Sequence, residues 1–401
     1  MQICNYTSNL HKMETKYIKR ELSATIEEAY RYFSVITITG PRQSGKTTLI
    51  RNMFSKLPYY SLENLDVRSF AENDPVAFLS QNQEGMILDE VHNVPALLSY
   101  IQEIVDEDAE RRFILSGSSQ FAMLKKVTQS LAGRTAVFEL LPMAYSEVKE
   151  IAEGKTIDEL LFNGFYPAIY SGRNIPKFLY PAYVKTYMDK DVRDLLQVKN
   201  IMQFHTFIRL CAGRIGSLFK ASELANEVGV SSNTISAWLS VLQASYIIML
   251  LPPYHENTSK RLTKTPKLYF MDTGLACYLL GIESPEQLSR DKMRGALFEN
   301  FVVTEALKRN YNRGKDNNLY FYRDSNQNEV DLLLREADGI TGIEIKSAMT
   351  YHPDFEKSLK QLENWLKIPM LDRAVVYTGK LENTLGSIKL LNYKNIDSIL
   401  I

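Results

Sequence analysis

Cysteine is scarce in this chain, and the three present, Cys4, Cys211 and Cys277, lie too far apart to frame a disulfide scaffold or to pair as zinc ligands. Five histidines are equally scattered and add no metal spacing. Also missing is an apolar run of about 18 residues, the length a membrane helix needs, and the opening stretch MQICNYTSNLHKMETKY lacks the apolar segment of a secretory signal. A reducing cytoplasm is the expected location, with no membrane contact. An excess of charge of either sign is lacking too: 47 basic side chains meet 47 acidic ones, which argues against indiscriminate coating of nucleic acid and requires any basic surface to be local. At 401 residues the chain exceeds what one hydrophobic core usually organises, so about two to four domains are expected.

The front third is built around VITITGPRQSGKTTLI. Val35 to Thr39 alternates and β-branches as a strand does, the loop Gly40, Pro41, Arg42, Gln43, Ser44, Gly45, Lys46, Thr47, Thr48 follows, and a helical run comes next. This is the Walker A spacing in its strand, loop and helix context. Glycines let backbone N–H groups curl around phosphate oxygens at a helix N-terminus, Lys46 supplies a cation for the β- and γ-phosphates of ATP, and the Thr47 hydroxyl can ligate Mg²⁺.

A second strand, GMILDE, ends in two adjacent acids. In a nucleoside triphosphatase that geometry gives Asp89 to the Mg²⁺ shell and Glu90 to the attacking water. The alternative is a helix start with acids in its first turn. A third strand, from Arg112, places Ser116 and then Ser118 at its tip, where hydroxyls can sense the nucleotide; a serine-rich turn is the alternative. Arg134 follows a glycine just before another strand, suited either to transition-state charge, in its own subunit or across a boundary, or to a structural ion pair.

With GPRQSGKTT, YYSLENLDVRSFAENDP, LDEVHNVP, LSGSSQF and LAGR in this order, the chain resembles prokaryotic AAA-type ATPases. Later stretches, FNGFYPAIY, YVKTYMDKDVRDLLQVKN and FENFVVTEAL to GIEIKS, resemble the C-terminal half of the same family, catalogued mainly as a domain of unknown function. His92 departs from the pattern, since glutamine is the commoner residue there, and helix-start packing is its expected role.

Residues 151–210 read as a helical connector or lid, with core aromatics and a mixed-charge face from Asp189 to Asp194. Within 211–285, Ala221 to Val228 and Ser232 to Ala244 make two helices about a Gly229-Val230-Ser231 turn, with Ile235, Leu239 and Leu242 facing inward, and a hairpin follows as a wing. Outward Ser231, Ser232, Asn233, Thr234 and Ser236 suit contact with duplex DNA, and Lys260, Arg261, Lys264 and Lys267 put positive charge on the wing. Protein docking or a nucleotide lid is the alternative role.

In the last segment, 290–401, Glu344 and Lys346 are two apart on a strand and project together, Asp331 on a neighbouring strand can approach them, and Glu299 shares a helical face with Ala296, Val302, Val303 and Ala306. Glu299, Asp331 and Glu344 can hold Mg²⁺, with Lys346 orienting water for phosphodiester cleavage. The pattern resembles the PD-(D/E)xK nucleases, as do Gln361 and Trp365, although tryptophan replaces the expected tyrosine.

The expected fold class is therefore α/β: a P-loop NTPase sheet at 15–150, then a helical connector, a winged helix-turn-helix and a small PD-(D/E)xK nuclease-like α/β domain. The expected activity is ATP hydrolysis that acts on DNA, with a homo-oligomer as one assembly. The competing expectation is a nucleotide-operated protein-binding switch with a degenerate, non-cleaving nuclease fold.

Overall fold

The computed structural model describes residues 17–117, 130–188, 201–254, 264–366 and 368–400. Ser118, the run from Asp189 to Asp194, and Lys260 and Arg261 of the expected wing lie outside these residues.

Short aliphatic runs set the first sheet. Strands β1 (Val35–Thr39), β2 (Tyr59–Ser61), β3 (Gly85–Asp89), β4 (Arg112–Ser116) and β5 (Thr135–Glu139) assemble in the order β2-β3-β4-β1-β5, every pairing parallel. Alternate residues leave opposite faces of a strand. Val35, Met86, Leu88, Phe113 and Leu115 accordingly pack into one apolar cluster, while Ile36, Ile38, Ile87 and Ile114 pack into a second that includes Leu49 and Ile50 of the helix Lys46–Met53. Burial on both faces is what a parallel sheet needs. Because the strands run the same way, their carboxyl ends share one edge, which carries the loop after β1, Asp89 and Ser116.

Helices dominate the next segment: Ile157–Asn163, Pro167–Tyr170, Pro176–Tyr183 and Ile201–Ala212. Helices Ala221–Val228 and Ser232–Ala244 then flank a turn whose Gly229 adopts φ +75°, a conformation that favours glycine. Ser231 caps the second helix by accepting the Thr234 N–H. Ile235, Leu239 and Leu242 are buried, and Trp238 joins them against Phe204 and Phe207. An antiparallel hairpin of β6 (Ile248–Leu251) and β7 (Lys267–Phe270) follows, so the helix pair and hairpin occur in the expected order.

The long helix Arg294–Asn312 leads into β8 (Leu319–Arg323), β9 (Glu329–Arg335), β10 (Ile340–Lys346), β11 (Met370–Tyr377), β12 (Asn383–Leu385) and β13 (Ile388–Asn392). Their order is β12-β13-β11-β10-β9-β8, parallel from β10 through β11 to β13 and antiparallel elsewhere. Leu333, Ile340 and Val375 on one face meet Leu359, Leu362 and Leu366 of the helix Lys357–Leu366, where Trp365 stacks on Tyr322. From the other face Leu332, Ile343, Ile345 and Val376 join a single core that also holds Tyr166, Phe204, Trp238 and Phe301. The connector, the helix pair and this face of the sheet are thus not packed as separate bodies. Among the described residues no helix is long and apolar enough to cross a membrane.

Candidate nucleotide site and carboxylate cluster

The loop after β1 curls because its backbone enters the left-handed region at Gln43 (φ +62°) and Gly45 (φ +96°), the latter leading into the helix Lys46–Met53. Gly40 is pressed against the next strand's exit: a Cβ there would lie 2.2 Å from the Leu140 carbonyl oxygen. Inside the curl the Lys46 Nζ donates to the carbonyls of Gly40 (2.9 Å) and Pro41 (2.8 Å). Ser44 is fully buried, and its carbonyl accepts from the buried Arg20 guanidinium at 2.8 Å, which also holds the Leu141 carbonyl. Sequence reading passed over Arg20, which precedes every motif it used.

Burial pushes the Lys46 ammonium down to about 8, against the pull of Glu90 and Asp89. Free protein above that pH holds a neutral amine, whereas a bound triphosphate favours the ammonium, so binding takes up a proton there. Affinity for ATP is expected to be level below about pH 7 and to fall by up to about tenfold per unit above 8. Titration calorimetry in two buffers of different ionisation heat measures both the affinity and the proton; a constant affinity from neutral to alkaline pH excludes the effect.

Asp89 collects three hydroxyls. Thr47 Oγ1 and Tyr59 OH each donate to its Oδ2 at 2.7 Å, and Ser116 Oγ bonds its Oδ1. Ser116, expected to sense the nucleotide, is fully buried and holds Asp89. Tyr59 was missed, because nothing local to β2 signals that its ring reaches the end of β3. Glu90 stands next, left-handed at φ +57°, with its Oε2 3.1 Å from His92 Nδ1. His92, expected to pack a helix start, therefore faces Glu90.

Arg42, Gln43, Lys46, Thr47, Thr48 and Glu90 line a cleft of about 710 Å³, a size suited to a small-molecule ligand. Pro167, Ala168, Arg173 and Asn174 of the connector also line this cleft. Arg134 does not. It precedes β5, which puts it at the amino edge of the sheet, away from Asp89, and its Nη2 donates to Asp106 Oδ2 at 2.8 Å. A catalytic role in its own subunit is corrected to this ion pair; only the role across a subunit boundary is left.

In the C-terminal half the acids converge, but around two lysines. Lys346 Nζ lies 2.6 Å from Glu344 Oε1 and 3.5 Å from Asp331 Oδ2, and Asp331 Oδ2 also accepts the Ile345 N–H at 2.8 Å. Lys267, expected on a basic wing, is instead 2% exposed on β7. Its Nζ lies 2.6 Å from Glu329 Oε1, 3.0 Å from Glu299 Oε1 and 4.0 Å from Asp331 Oδ1. Tyr269 OH donates to the same Glu299 oxygen at 2.6 Å. Burial and the Asp331 charge push Glu344 up to about 8 while Lys346 opposes, and burial raises Glu299 while Lys267 opposes. Among the described residues no three histidine, cysteine or acidic side chains are arranged to hold a metal. The expected metal set of Glu299, Asp331 and Glu344 is thus corrected: the cations amid these acids are the ammonium groups of Lys267, at Glu299 and Asp331, and Lys346, at Glu344 and Asp331.

Comparison with known proteins agrees with the front-end geometry. Residues 32–149 match the AAA domain family, 154–286 match the domain of unknown function DUF8612, and 294–396 match the domain of unknown function DUF4143. An uncharacterized protein of Mycobacterium tuberculosis is 29% identical over 370 residues, covering 90% of this chain and 80% of its own. Another, of Methanocaldococcus jannaschii, is 24% identical over 330 residues, covering 74% and 71%. Among solved structures, the Walker-type ATPase of Pyrococcus abyssi aligns with TM-score 0.44 and 14% identity, covering 66% of this chain and 96% of that one. The front of this chain thus matches an AAA domain and its C-terminal end a DUF4143 domain.

Proposed function

We propose that this protein hydrolyses ATP with Mg²⁺ and uses the nucleotide state to act through its C-terminal half. The observation that carries the reading is the meeting of Lys46, Thr47, Asp89 and Glu90 at one sheet edge, beside a cleft of ligand size. Magnesium fits the oxygen donors there: Thr47 and Asp89 already share a hydrogen bond, and bound metal would neutralise phosphate charge. Lys46 then binds the β- and γ-phosphates, and Glu90 orients the attacking water. Release of inorganic phosphate from ATP, lost on chelation of Mg²⁺, is the expected result; bound ATP recovered intact from wild-type protein would reject hydrolysis.

For the target we favour duplex DNA. Support comes from the two helices about Gly229 followed by a hairpin, with Ser232, Asn233 and Ser236 exposed at the start of the second helix. Duplex binding should weaken as salt rises, and replacing Lys260, Arg261 and Lys264 with alanine should flatten the logarithmic slope by up to about three counterions. An unchanged slope favours the second reading, a protein-binding switch that cuts nothing. That reading has its own observation: a lysine neutralises the nuclease-like acids from within.

A further inference from the structure

Among the described residues, four that are not glycine have positive φ: Gln43, Glu90, Tyr246 and Gln327. Gln43 and Glu90 belong to the nucleotide site. Tyr246 lies far along the chain, in the turn that leaves the helix Ser232–Ala244, at φ +54°. A left-handed backbone at so bulky a residue costs about 1–3 kcal/mol and persists only where the surroundings hold it.

What holds Tyr246 is the ATPase sheet. Its ring is 2% exposed, and its hydroxyl lies 2.8 Å from Glu139 Oε1 and 2.9 Å from Thr39 Oγ1. Tyr246 donates to the carboxylate, and Thr39 Oγ1, whose one proton also has the Phe138 carbonyl at 3.4 Å, shares the shorter contact with the phenol. Tyr311, on the helix Arg294–Asn312, lies near the same Glu139. Thr39 ends β1 and Glu139 ends the adjacent β5. Gly40 of the phosphate loop comes directly after Thr39, is wedged against Leu140, and Leu140 N donates to the Thr39 carbonyl at 2.8 Å. The position at which the loop leaves the sheet is therefore set jointly by the two strand ends and by a phenol delivered from the helix pair.

We propose that Tyr246 is a positioning residue of the nucleotide site: through Thr39 and Glu139 it fixes the start of the phosphate-binding loop, so ATP binding and turnover depend on how the helix pair is seated. This rests on the ATP reading of that loop. Tyr246 touches no nucleotide; it acts through Thr39.

Tyr246→Phe removes the hydroxyl and keeps the ring, and Thr39→Val removes the partner at nearly constant volume. Each is expected to lower kcat/KM for ATP hydrolysis, and to weaken binding of a fluorescent ATP analogue, by about tenfold, the worth of one to two buried hydrogen bonds. Tyr246→Phe/Thr39→Val should be no worse than either alone, since the two groups act as a unit. A merely structural tyrosine would lower the melting temperature and leave kcat, KM and Kd unchanged. Wild-type constants in Tyr246→Phe, or losses that multiply in the double variant, overturn the proposal. Should Tyr246→Phe not fold, Thr39→Val decides by the same criterion. If wild-type protein binds the analogue but releases no phosphate, hydrolysis alone is rejected, and the analogue's Kd still decides the positioning claim.

Discussion

Lys46→Ala protein is expected to bind no ATP, whereas Glu90→Gln protein should bind it and hold it unhydrolysed. The two side chains face one cleft, and the proposed mechanism gives them different work. Lys46 is the cation held in the loop by the Gly40 and Pro41 carbonyls, so its removal takes away the charge that phosphate binding depends on. Glu90 lies outside the loop, at the end of β3 beside His92. Glutamine there keeps the size and one acceptor while losing the carboxylate that orients and polarises water, a loss of about 10²–10⁴ in turnover. Equilibrium binding of ATP and the rate of phosphate release separate the two effects. Equal turnover by wild type and Glu90→Gln would remove Glu90 from the mechanism.

Removing Lys267 should be the most damaging single change in the C-terminal half. Its ammonium sits within salt-bridge distance of Glu299, Glu329 and Asp331 and is almost fully buried; Asp331 keeps Lys346 and Glu329 keeps Arg323, so Lys267→Ala takes from Glu299 its paired cation. Breaking a buried pair in this way costs about 3–5 kcal/mol. Glu299 and Glu344 are already raised above the ordinary carboxylate range, which means that the folded state binds more protons than the unfolded one. Stability from such groups is present at acid pH and lost as pH rises through their raised folded values, for Glu344 about 8. Urea melts should therefore show Lys267→Ala far less stable than wild type at pH 8 and partly recovered near pH 5.5, about a unit above an ordinary glutamate. Mn²⁺ added at pH 8 adds a second readout. If it restores Lys267→Ala but not Lys267→Ala/Glu344→Ala, the acids can hold a divalent ion and the lysine is what excludes it. Equal stability of Lys267→Ala and wild type at pH 8 would show that the lysine neutralises nothing.

What could be read along the chain was what local spacing determines. The Walker loop declares itself because a strand, glycines, a lysine and a helix must follow one another within a few residues. The helix pair is legible for the same reason: Gly229 breaks one helix, Ser231 caps the next, and Ile235, Leu239 and Leu242 repeat at helical spacing. Side chains whose partners come from distant strands were not legible. Lys267 stands in KLYF, a run whose alternation does not say which face is buried, and its acids arrive from a helix and a sheet not yet formed at that point in the sequence. Tyr59 and Tyr246 gave no sign for the same reason. Arg134 is different, since it precedes β5, and in a parallel sheet ligands gather at the strands' carboxyl ends. Its remoteness from the loop followed from strand direction, and only proximity in sequence to the other motifs suggested otherwise.

The contacts that cross from the segments flanking the first sheet to the helix Arg294–Asn312 also bear on how the protein is made. Thr25 Oγ1 donates to the Asn312 carbonyl at 2.7 Å across 287 residues, the Tyr145 N–H reaches Glu305, and Lys308 reaches the Met143 carbonyl. Chains emerge from the ribosome amino end first, and early segments begin to fold before later ones exist. The five parallel strands are complete once Glu139 has been synthesised, yet Tyr246, whose hydroxyl meets Glu139, follows only 107 residues later. A nascent chain stalled between those points carries a finished sheet whose loop-bearing edge still lacks its outer clamps.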